Sequence, residues 1–516
     1  MRIVGSFFGA GYSVVKKNLL ANLIGKSWVF LINLLAVPLY IKFLGLEAYG
    51  LVGFFATLQS IFVILDLGFS TTINRELARL SAQAGTEQQQ QNLVRTMEIA
   101  YWLIGVVVAC IVIIFSSIIA NDWVHSTSYS PRSLQLVISL IGLTIACNWP
   151  LSLYYGGLMG LQKQVLMNGI DVFMSTFRVI TVTLILWLVS PSIYAFFIWQ
   201  AVTYLLQTLL AYLYLWRQLP KTGTAPTAQR KAFKEIWRFT AAVSGISILA
   251  VILSNGDNVI LVKFLPLTLF ATYTIALSLG GVVSFAVAPL FSALFPALTT
   301  GVVAGNEEHL KDLYHKSCQF LSVMVIPAAF MVILFSAQIL QIWIRNPIVT
   351  ENAPLWASLL AVGFALNAVM AMPYCLQLAF GWTKLALFQN LFSVILYIPL
   401  LLWLISVYGA PGAATAWIAV NCGYFVIIVP LMHRRLLKGE LRHWYTVDIG
   451  LPFLGALVVA GLARVLLPMS NSLSIVALEL GIIFILTLSA AALATPATRE
   501  WILSNYRSLQ QRDVTQ

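Results

Sequence analysis

Two cations stand inside long apolar runs of this sequence. Arg178 lies in LMNGIDVFMSTFRVITVTLILWLV, seven residues after Asp171. Lys26 lies in NLLANLIGKSWVFLINLLAVPLYI, between Asn22 and Asn33. An ionised side chain at membrane depth costs about 2.5–3.5 kcal/mol on insertion scales, so it faces a wet cavity or a partner. A guanidinium fork suits a phosphate bidentately, and an ammonium meets one as a point charge. At about 100° per residue, Asn22, Lys26, Asn33 and Tyr40 fall within about 40° of one another, a polar stripe on one helix face. Asn168, Asp171, Ser175 and Arg178 fall within about 80°. The functional reading is an anion site made by Arg178 and Lys26, with Asp171 holding the guanidinium ready and Asn33 on the wet face. The structural readings are that Lys26 snorkels to the headgroups two turns away and that Arg178 pairs with a carboxylate between helices.

The other acids at this depth are Asp66, Asp257 and Glu479. Asp66, in LDLG, precedes Asn74, Arg75 and Arg79. It reads as a gating or ion-coupling carboxylate, or as a buried partner for a basic residue. Asp257, the second gating or ion-coupling candidate, borders a stripe of Ser244, Ser247, Ser254, Asn255 and Asn258, within about 100°. That stripe can bind a polar ligand through Asn255, or pack helix to helix. Glu479 has no assigned role. Two cations against four acids is a negative balance, so positive charge for an anion rests on Arg178 and Lys26.

The elements that must carry these residues follow from composition. The chain has 516 residues, of which 60% are hydrophobic and 9% charged, with a mean hydropathy of +0.89. Soluble proteins carry roughly 25% charged residues, so a cytosolic enzyme, a secreted domain and a disordered tail are excluded. One membrane crossing takes about 20 apolar residues. Apolar runs fall at about 18–41, 47–70, 97–120, 134–158, 166–189, 193–215, 239–262, 268–298, 317–343, 355–379, 385–407, 411–432, 449–467 and 472–494. They lack period-2 alternation and are too long for tilted strands. The fold class is therefore all-α integral membrane, with about 14 transmembrane helices. The cysteines, Cys110, Cys147, Cys318, Cys375 and Cys422, lie in apolar stretches without metal spacing. No P-loop, HExxH, GxSxG or acidic metal cluster is present in the sequence, so no catalytic residue, metal or cofactor is expected. The first residues lack the long apolar core of a cleavable signal.

Lys and Arg number 30 against 18 acids, a net charge of +12. The excess is topological and calls for no nucleic acid: 23 basic residues fall on loops of one side and 5 on the other, alternating through every loop. Both termini are expected to be cytoplasmic. The longest polar break, RQLPKTGTAPTAQRKAFKEIWR (217–238), reads as a linker. Sliding the chain by 221 residues puts Lys42-Phe43-Leu44-x-Leu46 on Lys263-Phe264-Leu265-x-Leu267, Gly160 on Gly381 and Lys163 on Lys384. The match predicts two six-helix lobes, 1–225 and 226–445, in a parallel pseudo-two-fold repeat around a central cavity. Residues 446–516 add two C-terminal helices and a cytoplasmic tail. Gly160 and Gly381 are expected to end helices where positive φ is cheap only for glycine. Two lobes around an axis are the architecture of alternating access.

KFLGLEAYGLVGF (42–54), LDLGFSTTINRELAR (65–79), GLMGLQKQ (157–164) and YGAPGAATAWIAVNCGYF (408–425), followed by HRRLLKGELRHWYTVDIGLP (433–452), stand in order at the expected depths. Together they resemble the polysaccharide/O-antigen flippases of the multidrug/oligosaccharidyl-lipid/polysaccharide exporter superfamily. The resemblance covers the 12-helix core. It implies a multi-pass flippase of the bacterial inner membrane that carries undecaprenyl-diphosphate-linked oligosaccharide units in polysaccharide and lipopolysaccharide biosynthesis. Its implied partners are that lipid-linked oligosaccharide, membrane lipids and other polysaccharide-assembly proteins. The family pattern has an acidic residue at Asp66. On this reading Asn255 and its neighbours hydrogen-bond sugar hydroxyls, and Trp149, Tyr154, Tyr155, Trp199 and Tyr374 are candidates to stack on sugar rings. Drug/cation antiporters of the related multidrug extrusion family remain the alternative. They share the two six-helix lobes, and the acidic balance favours them, whereas the added helices and the 433–452 stretch favour the flippase. A membrane glycosyltransferase is disfavoured, since the longest outer loop, about 121–133, holds one acid, Asp122.

Overall fold

The computed structural model describes residues 12–62, 66, 68–229, 248–467, 469–470 and 472–513. Its regular structure is helical throughout. Twelve helices are long and apolar enough to cross a membrane, from Leu20–Leu44 to Leu473–Ala494. They coincide with twelve of the expected runs. The other two expected runs fall on the 17-residue apolar helix Leu46–Phe62 and on a helix over 248–264. The earlier part of the 239–262 run, with Ser244 and Ser247, lies outside the described residues. Large apolar side chains cover the outer faces: Val189 is 76% exposed and Val465 81%. Several helices outrun the bilayer. Glu307–Trp343 has 37 residues, about 55 Å at 1.5 Å per residue, against about 30 Å of hydrocarbon. Its first turns, Glu307 to Lys316, are polar and lie outside the apolar part of the helix.

The chain divides into two compact units, residues 1–271 and 272–516. In the first, the Tyr12–Leu44 helix packs along Gln164–Leu188, and Pro131–Asn148 lies between Glu87–Ile118 and Ile193–Gln218. Leu151–Gly160 rests on the amphipathic Phe69–Ser81 helix. Their contact is set by Gly156 and Gly160, one helical turn apart. A Cβ at Gly156 would stand 2.6 Å from the Ser70 carbonyl oxygen, and one at Gly160 2.5 Å from that of Asn74. Small residues at this spacing let two backbones meet. Phe69, Ile73, Leu77, Tyr101, Leu153 and Tyr154 fill the core behind them.

In the second unit, Glu307–Trp343 is the central element. Pro347–Val369, Leu451–Leu466 and Leu473–Ala494 all pack against it. The last two are the expected added helices. Met331, Phe335, Ala463, Val476, Leu480 and Ile483 form the shared apolar layer. The helix bends at Phe335, where φ is −127° and ψ 17°.

One expectation is corrected. Gly160 does not take the left-handed conformation; Gln162 does, at φ 57°, while Gly381 is at φ +70°. Gly160 is glycine because of backbone approach, not backbone angle. The two turns close alike: Gln162 N–H bonds to Met159 and Lys163 N–H to Leu158, as Gly381 N–H does to Leu378 and Trp382 N–H to Gln377. The equivalent of Gly381 is thus Gln162, two residues from the gapless 221-residue register. The expected linker is an irregular segment over 219–229. Up to residue 229 it is strapped along the Glu87–Ile118 helix by a ladder of amides and hydroxyls. Gln91 Nε2 donates to the Pro220 carbonyl at 2.6 Å, Thr227 N–H to Asn92 at 2.8 Å and Gln229 N–H to Thr96 at 2.9 Å. An extended segment has no internal partners for its backbone, and this helix face supplies them.

Candidate substrate-binding site

The first and fifth expected spans are neighbours. Asn168 Nδ2 donates to Asn22 Oδ1 at 2.5 Å, and Trp28 Nε1 to Thr176 Oγ1 at 2.8 Å. Gly25 permits this approach, since a Cβ there would stand 2.7 Å from Asn168 Oδ1. The polar stripe of the first span is divided by that packing. Asn22 bonds to the neighbour, and Tyr40 is buried against the Phe196 ring, 5.1 Å between centroids. Lys26 and Asn33 stay exposed, with Asn33 Nδ2 donating to the Val29 carbonyl of its own helix at 2.7 Å.

Arg178 points at the Ile193–Gln218 helix. Its Nη2 donates to Gln207 Oε1, its Nε to Thr203 Oγ1 at 3.3 Å, and its Cζ lies 3.6 Å from the centre of the Tyr204 ring. Thr203 and Gln207 are one turn apart and face the same way. Gln207 then donates through Nε2 to Asp171 Oδ1 at 3.1 Å and to Tyr155 Oη at 2.8 Å. The Tyr155 hydroxyl also reaches Asp171 Oδ1, at 3.4 Å. One amide thus accepts from the cation and donates to the anion, which fixes its orientation. Asp171 lies within electrostatic reach of Lys26 as well as Arg178. A guanidinium carries five N–H donors; two of Arg178's are used, and the other three have no protein partner among the described residues. The group can therefore grip an anion without breaking a bond it already makes.

The remaining candidates form separate groups. Asp66 is held by hydroxyls. Tyr101 Oη donates to its Oδ1, Ser152 Oγ to the same oxygen at 3.4 Å and Ser70 Oγ to Oδ2 at 2.7 Å. Asn255 Nδ2 donates to its own helix at the Val251 carbonyl, 3.2 Å away. Asp257 is buried beside Asn258, whose Nδ2 is 3.4 Å from Asp257 Oδ1. Among the aromatic candidates Tyr155 joins the Arg178 group, and Trp199 donates to Thr181 Oγ1 at 2.8 Å.

Two features escaped the sequence. Gln207 carries no charge and sits in an apolar run, so nothing flagged it as the link. Glu98 is 4% exposed. It pairs with Arg95 at 2.7 Å, accepts from Tyr154 Oη at 2.9 Å and lies 3.4 Å from Trp216 Nε1. The i,i+3 spacing of Arg95 and Glu98 was its signal.

The described helices form a many-spanned membrane protein with the Arg178 guanidinium held between two of them. Comparison with known proteins agrees and gives the lineage. The chain belongs to the polysaccharide biosynthesis protein family, whose model matches residues 15–302. A Shigella flexneri protein described as an O-antigen transporter is 21% identical over 401 residues, 78% of this chain and 93% of that protein. Among solved structures, the lipid II flippase MurJ in an inward closed conformation has a TM-score of 0.68 at 13% identity, covering 91% of this chain and 97% of that one. An inward-facing multidrug resistance transporter of the MATE family, within the MOP superfamily, has a TM-score of 0.64 at 14% identity, covering 79% and 96%. The protein is thus a membrane transporter of the polysaccharide biosynthesis family with a MATE/MurJ-like fold, and its relatives are transporters rather than enzymes.

Proposed function

We propose that this protein flips undecaprenyl-diphosphate-linked oligosaccharide units across the bacterial inner membrane by alternating access. On this reading both termini are cytoplasmic, and lobes 1–225 and 226–445 rock about a central cavity. The observation that carries it is Arg178: a guanidinium oriented by Gln207, Thr203 and Tyr204 with three N–H groups to spare. A diphosphate brings about two negative charges into a low-dielectric space, and an uncompensated passage costs several kcal/mol. Arg178 supplies the fork and Lys26 a second, mobile charge. Asp171, tied to Gln207, keeps the pair from holding the anion too tightly to release it. Asn33 and Asn255 are assigned to sugar contacts, and Asp66 and Asp257 to gating or ion coupling. Other polysaccharide-assembly proteins and membrane lipids are the proposed neighbours.

The test is surface polysaccharide in a strain lacking its own flippase, with membrane protein levels measured alongside. Arg178→Ala and Arg178→Glu should abolish polysaccharide display at normal protein levels. Arg178→Lys should retain part of it, since charge survives and the fork does not. Full display with Arg178→Ala at normal levels would sink the anion-site reading. The second reading, a drug/cation antiporter, draws on the fold shared with the MATE transporter and on Asp66, whose described partners are hydroxyls and the Ser70 N–H rather than a base. It predicts drug resistance that depends on Asp66 and is indifferent to Arg178.

A further inference from the structure

The 433–452 stretch meets the start of the Glu307–Trp343 helix in a second polar group, unrelated to Arg178. One donor atom each from His315, His443 and Asp448 lie within 4.8 Å of one another. His315 Nδ1 is 2.5 Å from Asp448 Oδ2, and His443 Nε2 is 3.7 Å from Asp448 Oδ1. The two imidazole centroids are 4.4 Å apart. Asp448 sits on a widened, π-helical turn, Trp444–Gly450, a geometry that often re-aims a side chain at a functional site. Gln319 Nε2 donates to Asp448 Oδ1 at 2.9 Å, and Gln319 Oε1 accepts from Ala497 N–H at 2.9 Å, which holds that amide in place.

Two carboxylates, Asp448 and Glu440, crowd this group. Asp448 is 0% exposed, and its described partners are two imidazoles and an amide. The nearby Lys311 is engaged by Glu440, at 3.2 Å. His315 Nδ1 lies against Asp448, and its other ring nitrogen, Nε2, is differently placed. That atom is buried without a hydrogen-bond partner, on a residue only 8% exposed, and it faces Glu440 Oε2 at 3.4 Å. A buried ring nitrogen without a hydrogen bond, this close to a carboxylate, is a place that a bound cation would complete. Imidazole and carboxylate donors together suit zinc and its neighbours among the divalent metals.

We propose that His315, His443 and Asp448, with Glu440 beside them, bind a divalent transition cation of the zinc type. The ion ties the Glu307–Trp343 helix to the segment that enters Leu451–Leu466, and so anchors the added helices within the second unit. Sequence spacing hides the site, because His315 comes from a helix more than a hundred residues before the other ligands.

The test uses full-length protein purified in detergent without a polyhistidine tag, stripped with EDTA and dialysed against zinc chloride, manganese chloride or magnesium chloride. Metal is counted by mass spectrometry, and unfolding is followed by tryptophan fluorescence. About one zinc per chain should be retained, with a rise in Tm, since binding energy adds to folding energy. Magnesium should do neither. His443→Ala, at a half-exposed position that tolerates truncation, should lower zinc affinity by at least tenfold, in line with losses at ligand shells of about 10–100-fold. His309→Ala, on the same helix and outside the group, should retain the ion. Absence of bound zinc in the wild type, or equal retention by His443→Ala and Asp448→Asn, would overturn the proposal. So would a Tm that rises between pH 8 and pH 6 without bound metal and loses that rise in His443→Ala; the missing cation would then be a proton on the imidazoles.

Discussion

Arg178 and Asp171 are joined through Gln207, with neither charge in direct contact with the other. His315 and Asp448, in the second unit, meet directly at 2.5 Å, with Glu440 and Lys311 adding a further ion pair. A direct pair holds its two partners against each other, with no bridging group between them. A pair separated by an amide keeps its geometry and leaves donors over. The first arrangement suits a ligand that must arrive and leave, and the second suits a joint between helices. Residue identity alone does not distinguish them, since both groups read as a cation near a carboxylate.

The strongest way to break this comparison is to reverse the charge in the first group. Arg178→Glu should remove polysaccharide display altogether while the protein still inserts. Next is Gln207→Glu, which gives the guanidinium a carboxylate in place of an amide oxygen. The spare donors then close into a bidentate pair, and display should fall by tenfold or more, about 1.4 kcal/mol at the least. Normal display with Gln207→Glu would show that the spare donors are not used. Asp171→Asn should be milder, a few-fold change, because the Gln207 bond survives with a neutral acceptor. The smallest effect belongs to the joint. Burial pushes the Glu440 carboxyl up, but Lys311 and His315 outweigh it and hold it below the usual range. A lowered folded pKa stabilises above the ordinary value of 4.5 and is lost as pH falls below it. The Tm gap between wild type and Glu440→Gln should therefore be present at pH 7 and shrink toward pH 4; a constant gap would remove Glu440 from the ionic joint.

Much of the fold was legible because lipid imposes it. An apolar run of membrane length has few alternatives to a helix, and twelve such runs became helices of spanning length. Arg178, Asp171 and Lys26 were visible for the same reason, since charge at that depth is costly. Their wiring was not. Gln207 is neutral, and its role rests on helix Ile193–Gln218 lying beside Gln164–Leu188. His315 and Asp448 lie where charge is ordinary, near helix ends, so neither stood out until the chain brought them together. Gly160 illustrates a subtler miss. Its type was read as a backbone angle, whereas the neighbour across the contact, Asn74, sets the requirement. Such a requirement belongs to a pair of helices, and its trace in the sequence is the four-residue spacing of Gly156 and Gly160.

The strap over residues 220–229 bears on where this chain can be cut. By composition it is the natural place to divide the gene into two co-expressed halves, being polar and rich in threonine, proline and glycine. Its anchors run from Gln91 on Pro220 to Thr96 on Gln229, so a break at its midpoint would leave each fragment half a ladder. A break just after Gln229 keeps every rung on the fragment that owns the helix. Split transporters reassembled in the membrane should therefore function when divided after 229 and lose yield when divided between Thr224 and Thr227. Protease digestion of the intact protein should likewise spare Lys221, despite its surroundings.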